Sequence, residues 1–206
     1  MTKNIILVHG LSGSPAGTWG KFIELLEKDS DLEHRVLSLG YQSPHFFKRF
    51  YEPAPSILNI TNGLLTDIEN KCDLGKDEII LVGHSLGGLI VKRLLLKLED
   101  KGIAHKIRKV CFFDVPHDGS GLANVGKYIA FRNKHLRSLC RDSSELDEMN
   151  ERWFESKLDS KFEIISIIAA NDFIVSSSSS KSVFRNHQIK TINNVDHSSI
   201  VKPAGY

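Results

Sequence analysis

Short apolar runs alternate with longer segments of helical spacing along almost the whole chain. Asn4–Val8 is a compact apolar run of the length of a buried strand. Thr18–Lys28 spaces Trp19, Phe22, Ile23 and Leu26 three and four residues apart, which predicts a helix with one apolar face. Arg35–Leu39 reads as a second strand. Ser56–Cys72 puts Ile57, Ile60, Leu64, Leu65 and Ile68 on one helical face. Glu78–Val82 is a third strand and leads into a helix after Ser85; Ile107–Phe113 is a fourth. Leu122–Leu158 predicts two or more helices. Phe162–Ala169 and Gln188–Ile192 complete six strands, and a terminal helix is expected after His197. Strands that alternate with helices pair in parallel through right-handed crossovers. The expected fold is therefore α/β: a doubly wound, mostly parallel six-stranded sheet flanked by helices, with residues 1–206 as a single domain. Ser176–Ser180 reads as a polar loop.

Composition narrows the function. With 206 residues, 41% hydrophobic and 25% charged, the chain can bury a sizeable core, which excludes a disordered protein. A net charge of +2 calls for neither nucleic acid nor an acidic partner. Cys72, Cys111 and Cys140 are far apart and lack metal-ligand spacing, a usage that suits a reducing compartment. No apolar run approaches the length of a membrane span. Met1 leads directly into the first strand, so a cytoplasmic location is expected.

Candidate chemistry centres on Gly83-His84-Ser85-Leu86-Gly87, placed between a buried strand and a buried helix. That is the setting in which a G-x-S-x-G turn exposes its serine above a sheet. Its glycines remove side chains that would collide across so tight a turn. The turn also aims the Leu86 N–H and the helix N-terminus at a developing oxyanion. The plain alternative is a glycine-rich turn with an inert serine.

A serine nucleophile needs a base and an orienting acid, and both must come from loops at the carboxyl ends of the strands. His197 follows the strand Gln188–Ile192 through a short loop and is the candidate base; a structural histidine is the alternative. Asp172, after the strand ending at Ala169, is the candidate acid, with Asp114 after Phe113 as the rival. Asp196 reads as a loop-ordering residue, because it adjoins His197. The turn His9-Gly10-Leu11-Ser12-Gly13 frees backbone amides on the same edge, and Leu11 N–H is chosen with Leu86 N–H as the oxyanion pair. His9 is expected to fix this turn by hydrogen bonding. A phosphate-cradling loop is the competing reading, but no G-x-x-x-x-G-K-[ST] is present.

Several stretches together resemble the α/β-hydrolase group of serine-active-site lipase-like proteins and relatives of the GPI inositol-deacylases. They are Val8-His9-Gly10-Leu11-Ser12-Gly13 with Thr18-Trp19, Gly40-Tyr41, Val82 to Leu89 with Val91-Lys92, Val115-Pro116-His117-Asp118-Gly119-Ser120, and Asp196-His197-Ser198-Ser199 running to Lys202-Pro203. The resemblance implies a minimal α/β-hydrolase fold with a small cap or none, and a serine esterase or lipase whose triad is Ser85, Asp172 and His197. It implies no metal or organic cofactor. The chain departs from the group where Val115 and Asp118 flank Pro116-His117, and where Asp172-Phe173-Ile174-Val175 runs into serines. Both loops border the pocket.

The substrate side is marked by Ser43–Tyr51, an aromatic loop on the catalytic edge. Phe46, Phe47 and Tyr51, with His117, are the candidate substrate-binding residues. The loop is a candidate for an acyl pocket or for peripheral contact with a lipid surface, with Lys48 and Arg49 near anionic head groups; packing onto the core is the plain alternative. Leu122–Arg141, with its five basic residues, reads as a small cap or a solvated helix face. The expected activity is hydrolysis of a small-molecule or lipid carboxylic ester through an acyl-enzyme. A thioesterase, an acyltransferase and a non-catalytic binding scaffold remain as alternatives.

Overall fold

The computed structural model describes residues 2–11, 13–41, 56–118, 143–173, 175 and 184–203. Strands β1 (Lys3–Val8), β2 (Arg35–Leu39), β3 (Glu78–His84), β4 (Ile107–Phe113), β5 (Glu163–Ala169) and β6 (Gln188–Ile192) form one sheet. Their order is β2-β1-β3-β4-β5-β6, and all five pairings are parallel. The strand order reverses at β1, so β1 and β3 lie side by side at the centre with their carboxyl ends adjacent.

Helices cover both faces because the strand side chains alternate. On one face, α2 (Ile57–Lys71), α3 (Leu86–Asp100) and α4 (Ser143–Glu155) pack Leu64, Ile68, Leu89, Leu94, Met149 and Trp153 against Ile6, Leu81, Val110, Phe112 and Ile164. On the other, Trp19, Phe22, Ile23 and Leu26 of α1 (Pro15–Lys28) pack against Ile5, Leu7, Val82 and Phe113. Successive residues of β1 thus serve opposite cores. The helix starts are local: the Ser14 hydroxyl accepts from Gly17 N–H ahead of Pro15, and the Ser56 hydroxyl accepts from Asn59 N–H.

Three boundaries differ from expectation. Strand β3 runs to His84, so the turn begins directly at Ser85. Of the segment Leu122–Leu158, the described part holds one helix, α4, and a 3-10 turn follows it at Leu158–Ser160. No terminal helix follows His197 among the described residues. Residues 197–201 form consecutive turns, opened by the Asp196 carboxylate, which accepts from Ser198 N–H, Ser199 N–H and the Ser199 hydroxyl as an N-cap does.

Candidate active site

The turn between β3 and α3 is held by close backbone approach. A Cβ on Gly87 would lie 2.3 Å from the His9 carbonyl oxygen and 2.5 Å from that of Val8; one on Gly83 would lie 2.6 Å from Gly88 Cα. Only glycine lets β1, β3 and α3 converge at this distance. Ser85 between them takes φ 53°, ψ −126°, a backbone that non-glycine residues rarely adopt. Its own N–H donates to the Phe113 carbonyl at 3.0 Å, which fastens the turn to β4.

This backbone sends the Ser85 hydroxyl to His197. Ser85 Oγ and His197 Nε2 are 2.9 Å apart, and His197 Nδ1 lies 2.8 Å from Asp172 Oδ2. With Nδ1–H donating to the carboxylate, Nε2 is left as acceptor for the serine proton. Asp172 Oδ1 accepts from Val175 N–H at 3.1 Å. Ser85 and His197 are both buried.

His9 and Leu11 occupy the neighbouring turn. His9 Nδ1–H donates to the Gly10 carbonyl at 2.8 Å, its Nε2 receives Tyr41 N–H, and its ring stacks on Tyr41 at 4.3 Å. The turn is thereby pinned, and Gly10 lies so near the serine that a Cβ there would be 3.0 Å from Ser85 Cβ. Leu11, the next residue, is half-buried beside it. Leu86 opens α3, where a helix's first amides have no intrahelical acceptor. Both amides chosen from the sequence therefore belong to turns that meet at Ser85.

The other chosen residues fall elsewhere. His117 is fully buried, its ring edge-on to Phe112 and Phe184 with centroids 4.7 and 4.6 Å away; its described contacts are with this core and not with Ser85 or His197. Burial holds it neutral. A substrate-lining role for His117 finds no surface here. Phe46, Phe47 and Tyr51 lie outside the described residues, as do Lys48, Arg49 and Leu122–Arg141.

His84, given no part from the sequence, and Asp114, the rival candidate acid, belong to the surroundings of this line of groups. His84 Nε2–H donates to the His197 carbonyl at 2.8 Å, and the two rings stand 4.9 Å apart. Burial and the neighbouring His197 push its pKa down to about 3, so it stays neutral and anchors the backbone that carries His197. Asp114, buried with φ 44°, brings a carboxyl within 4.8 Å of both Asp172 and His197. Three such groups so close resemble a cation site, but both ring nitrogens of His197 are already bonded, to Asp172 and to Ser85. The signal for Asp114 was its place at the carboxyl end of β4; that for His84 was its adjacency to the serine.

Comparison with known proteins places the chain. It is 33% identical over 197 residues to Protein SERAC1 of Danio rerio and 25% identical over 195 residues to Protein SERAC1 of Homo sapiens, alignments that cover 79% and 80% of this chain. The chain spans about 30% of the length of these relatives. Among solved structures it resembles phospholipase PlaB of Legionella pneumophila (TM-score 0.63, 20% identity, 82% of this chain and 38% of that one). It also resembles an α/β hydrolase from the sediment metagenome of the Mar Chica lagoon, Morocco (TM-score 0.64, 17% identity, 98% and 85%). These likenesses establish the α/β-hydrolase fold. The model of one family, the PGAP1-like alpha/beta domain, matches residues 55–202, from α2 through the turn that carries His197. With more than two thirds of its length matched, this chain belongs to the PGAP1-like α/β domain family.

Proposed function

We propose that the protein is a serine hydrolase that cleaves carboxylic esters with apolar acyl chains. The observation that carries this reading is the unbroken line from Ser85 Oγ through His197 to Asp172, two hydrogen bonds of 2.9 and 2.8 Å on a strained strand-to-helix turn. Ser85 Oγ attacks the ester carbonyl while His197 Nε2 takes its proton; Asp172 holds the imidazole in the tautomer that can accept it. The oxyanion is received by Leu86 and Leu11 N–H. His197 returns the proton to the departing alcohol, and a water molecule, activated by the same imidazole, then releases the acid and restores Ser85. The named neighbours include a phospholipase, and a lipase of Bacillus licheniformis (TM-score 0.64, 17% identity), which supports a lipid or other apolar ester as the substrate class. The whole relatives are about three times longer, so their substrates and partners stand apart from this proposal.

A fluorophosphonate separates hydrolase from scaffold: one adduct on the wild type and none on Ser85→Ala is the expected result. A panel of p-nitrophenyl esters and matching thioesters then ranks acyl length and leaving group. A wild type that takes no label and turns over no member of the panel refutes the proposal.

A further inference from the structure

Asp114 is a buried carboxyl that the reaction sequence above does not use. It follows β4 on a left-handed backbone, φ 44°, and is 1% exposed. Its N–H donates to the Ile167 carbonyl, and its Oδ1 accepts from Ala169 N–H at 2.9 Å, so both its backbone and one oxygen are tied to β5. Its Oδ2 is buried and has no donor among the described residues. An ionised oxygen there would be desolvated and uncompensated. A protonated oxygen is instead a donor that needs an acceptor, and the carboxylate of Asp172 is within reach.

Two carboxyls this close do not ionise independently: the first charge opposes the second. Burial, and next to it the charge of Asp172, push Asp114 up to about 7, against the Ala169 bond and His197, which pull the other way. The titratable groups around the pair are His197 after β6 and, behind it, His84 at the end of β3; Lys202 acts on His84 from the terminal turns. The described β5 residues that hold Asp114, Ile167 and Ala169, carry no charge.

We infer that Asp114 and Asp172 share one proton at neutral pH, borne by Asp114 Oδ2 and donated to the Asp172 carboxylate, which makes Asp114 the positioning residue of the Asp172–His197 bond. Its use in catalysis rests on the function proposed above; the shared proton does not. While the proton is present, His197 faces one net negative charge and Asp172 is held in place from behind. When it leaves, a second negative charge stands beside the imidazole. That charge repels the Asp172 carboxylate and loosens its bond to His197, so activity falls on the alkaline side.

The test has two arms. Infrared difference spectroscopy on the intact protein near pH 6, where ordinary carboxylates are ionised, should show the carbonyl band of a buried protonated carboxyl. Asp114→Asn should abolish the band, and Asp172→Asn should shift it. In the second arm the pH profiles of fluorophosphonate labelling and kcat/KM are compared. Asp114→Asn keeps a donor beside Asp172 and should remove the alkaline limb at the cost of a several-fold lower maximum. Asp114→Leu should lose more, on the order of tenfold or beyond in kcat with KM little changed, because Asp172 loses its partner. A wild type without the band overturns the shared proton, as does a band that survives Asp114→Asn. A profile unchanged in Asp114→Asn overturns the positioning role. A band that behaves as expected in a protein that takes no label leaves the shared proton standing and refutes the hydrolase reading alone.

Discussion

Ser85 bears both the hydroxyl and the strain of the turn. At φ 53° and ψ −126° its backbone costs about 1–3 kcal/mol. Ser85→Ala removes the hydroxyl and keeps the strain, so kcat should fall on the order of 10⁴-fold or more with the fold intact. Ser85→Gly removes both. It should be equally inactive yet melt about 2–4 °C above the alanine variant per kcal/mol recovered, which calorimetry on the pair reads directly. For the acid, Asp172→Asn should lower kcat by roughly 10³–10⁴, since the amide favours the wrong His197 tautomer, and far more than Asp114→Asn. An equal or greater loss in Asp114→Asn would reassign the acid. At this scale the sequence reveals which residues arrive at the carboxyl edge, because Ser85, Asp172 and His197 each follow a strand whose apolar pattern is plain. It does not reveal which way side chains turn once there. His84 reaches the His197 carbonyl through a rotamer, and Asp114 reaches Asp172 through a left-handed φ; neither leaves a periodic signal.

Helices α3 and α4 are joined by an unusual tie. Lys92, two turns into α3, is fully buried; its Nζ donates to Asn150 Oδ1 of α4 and lies 5.5 Å from the Trp153 ring and 5.7 Å from that of Phe184. Asn150 Nδ2–H in turn donates to the His117 carbonyl at 3.2 Å. Burial pushes Lys92 down from 10.5 to about 7. Between those two pH values the unfolded chain holds a proton that the folded chain lacks, so this group destabilises the fold progressively as pH falls from about 10.5 to about 7. Lys92→Met should therefore raise stability near neutrality by on the order of 1–3 kcal/mol, net of the lost bond to Asn150, with the gain shrinking toward pH 10. Melting curves across that range check it; a variant less stable throughout would show that the aromatic faces outweigh burial. Periodicity places Lys92 on α3 but does not mark it as buried, because the polar residues Arg93, Lys97 and Asp100 that share the helix are the ones that face outward.

For the molecule as a whole, the six strands and their parallel pairing follow from the alternation of elements, whereas the order β2-β1-β3-β4-β5-β6 leaves no mark in that alternation. None of the described helices is long and apolar enough to cross a membrane. The sheet gathers the site from distant places: Ser85 and His197 are 112 residues apart, Asp172 and His197 are 25 apart. If β3, β4, β5 and β6 pair in one cooperative step, labelling of Ser85 and loss of helical circular dichroism should follow the same urea curve. Labelling lost ahead of the dichroism would mean that the β5–β6 edge opens first.

The same separation has a consequence in time. A chain synthesised at about 5–20 residues per second carries its serine for roughly 6–22 s before its histidine has been made. During that interval the Ser85 hydroxyl has no imidazole to take its proton. Under the proposed mechanism a nascent chain is thus inert at Ser85 until β6 and the turn that carries His197 have been made. Stalled chains released before His197 should be inert toward fluorophosphonate even where the first four strands have folded.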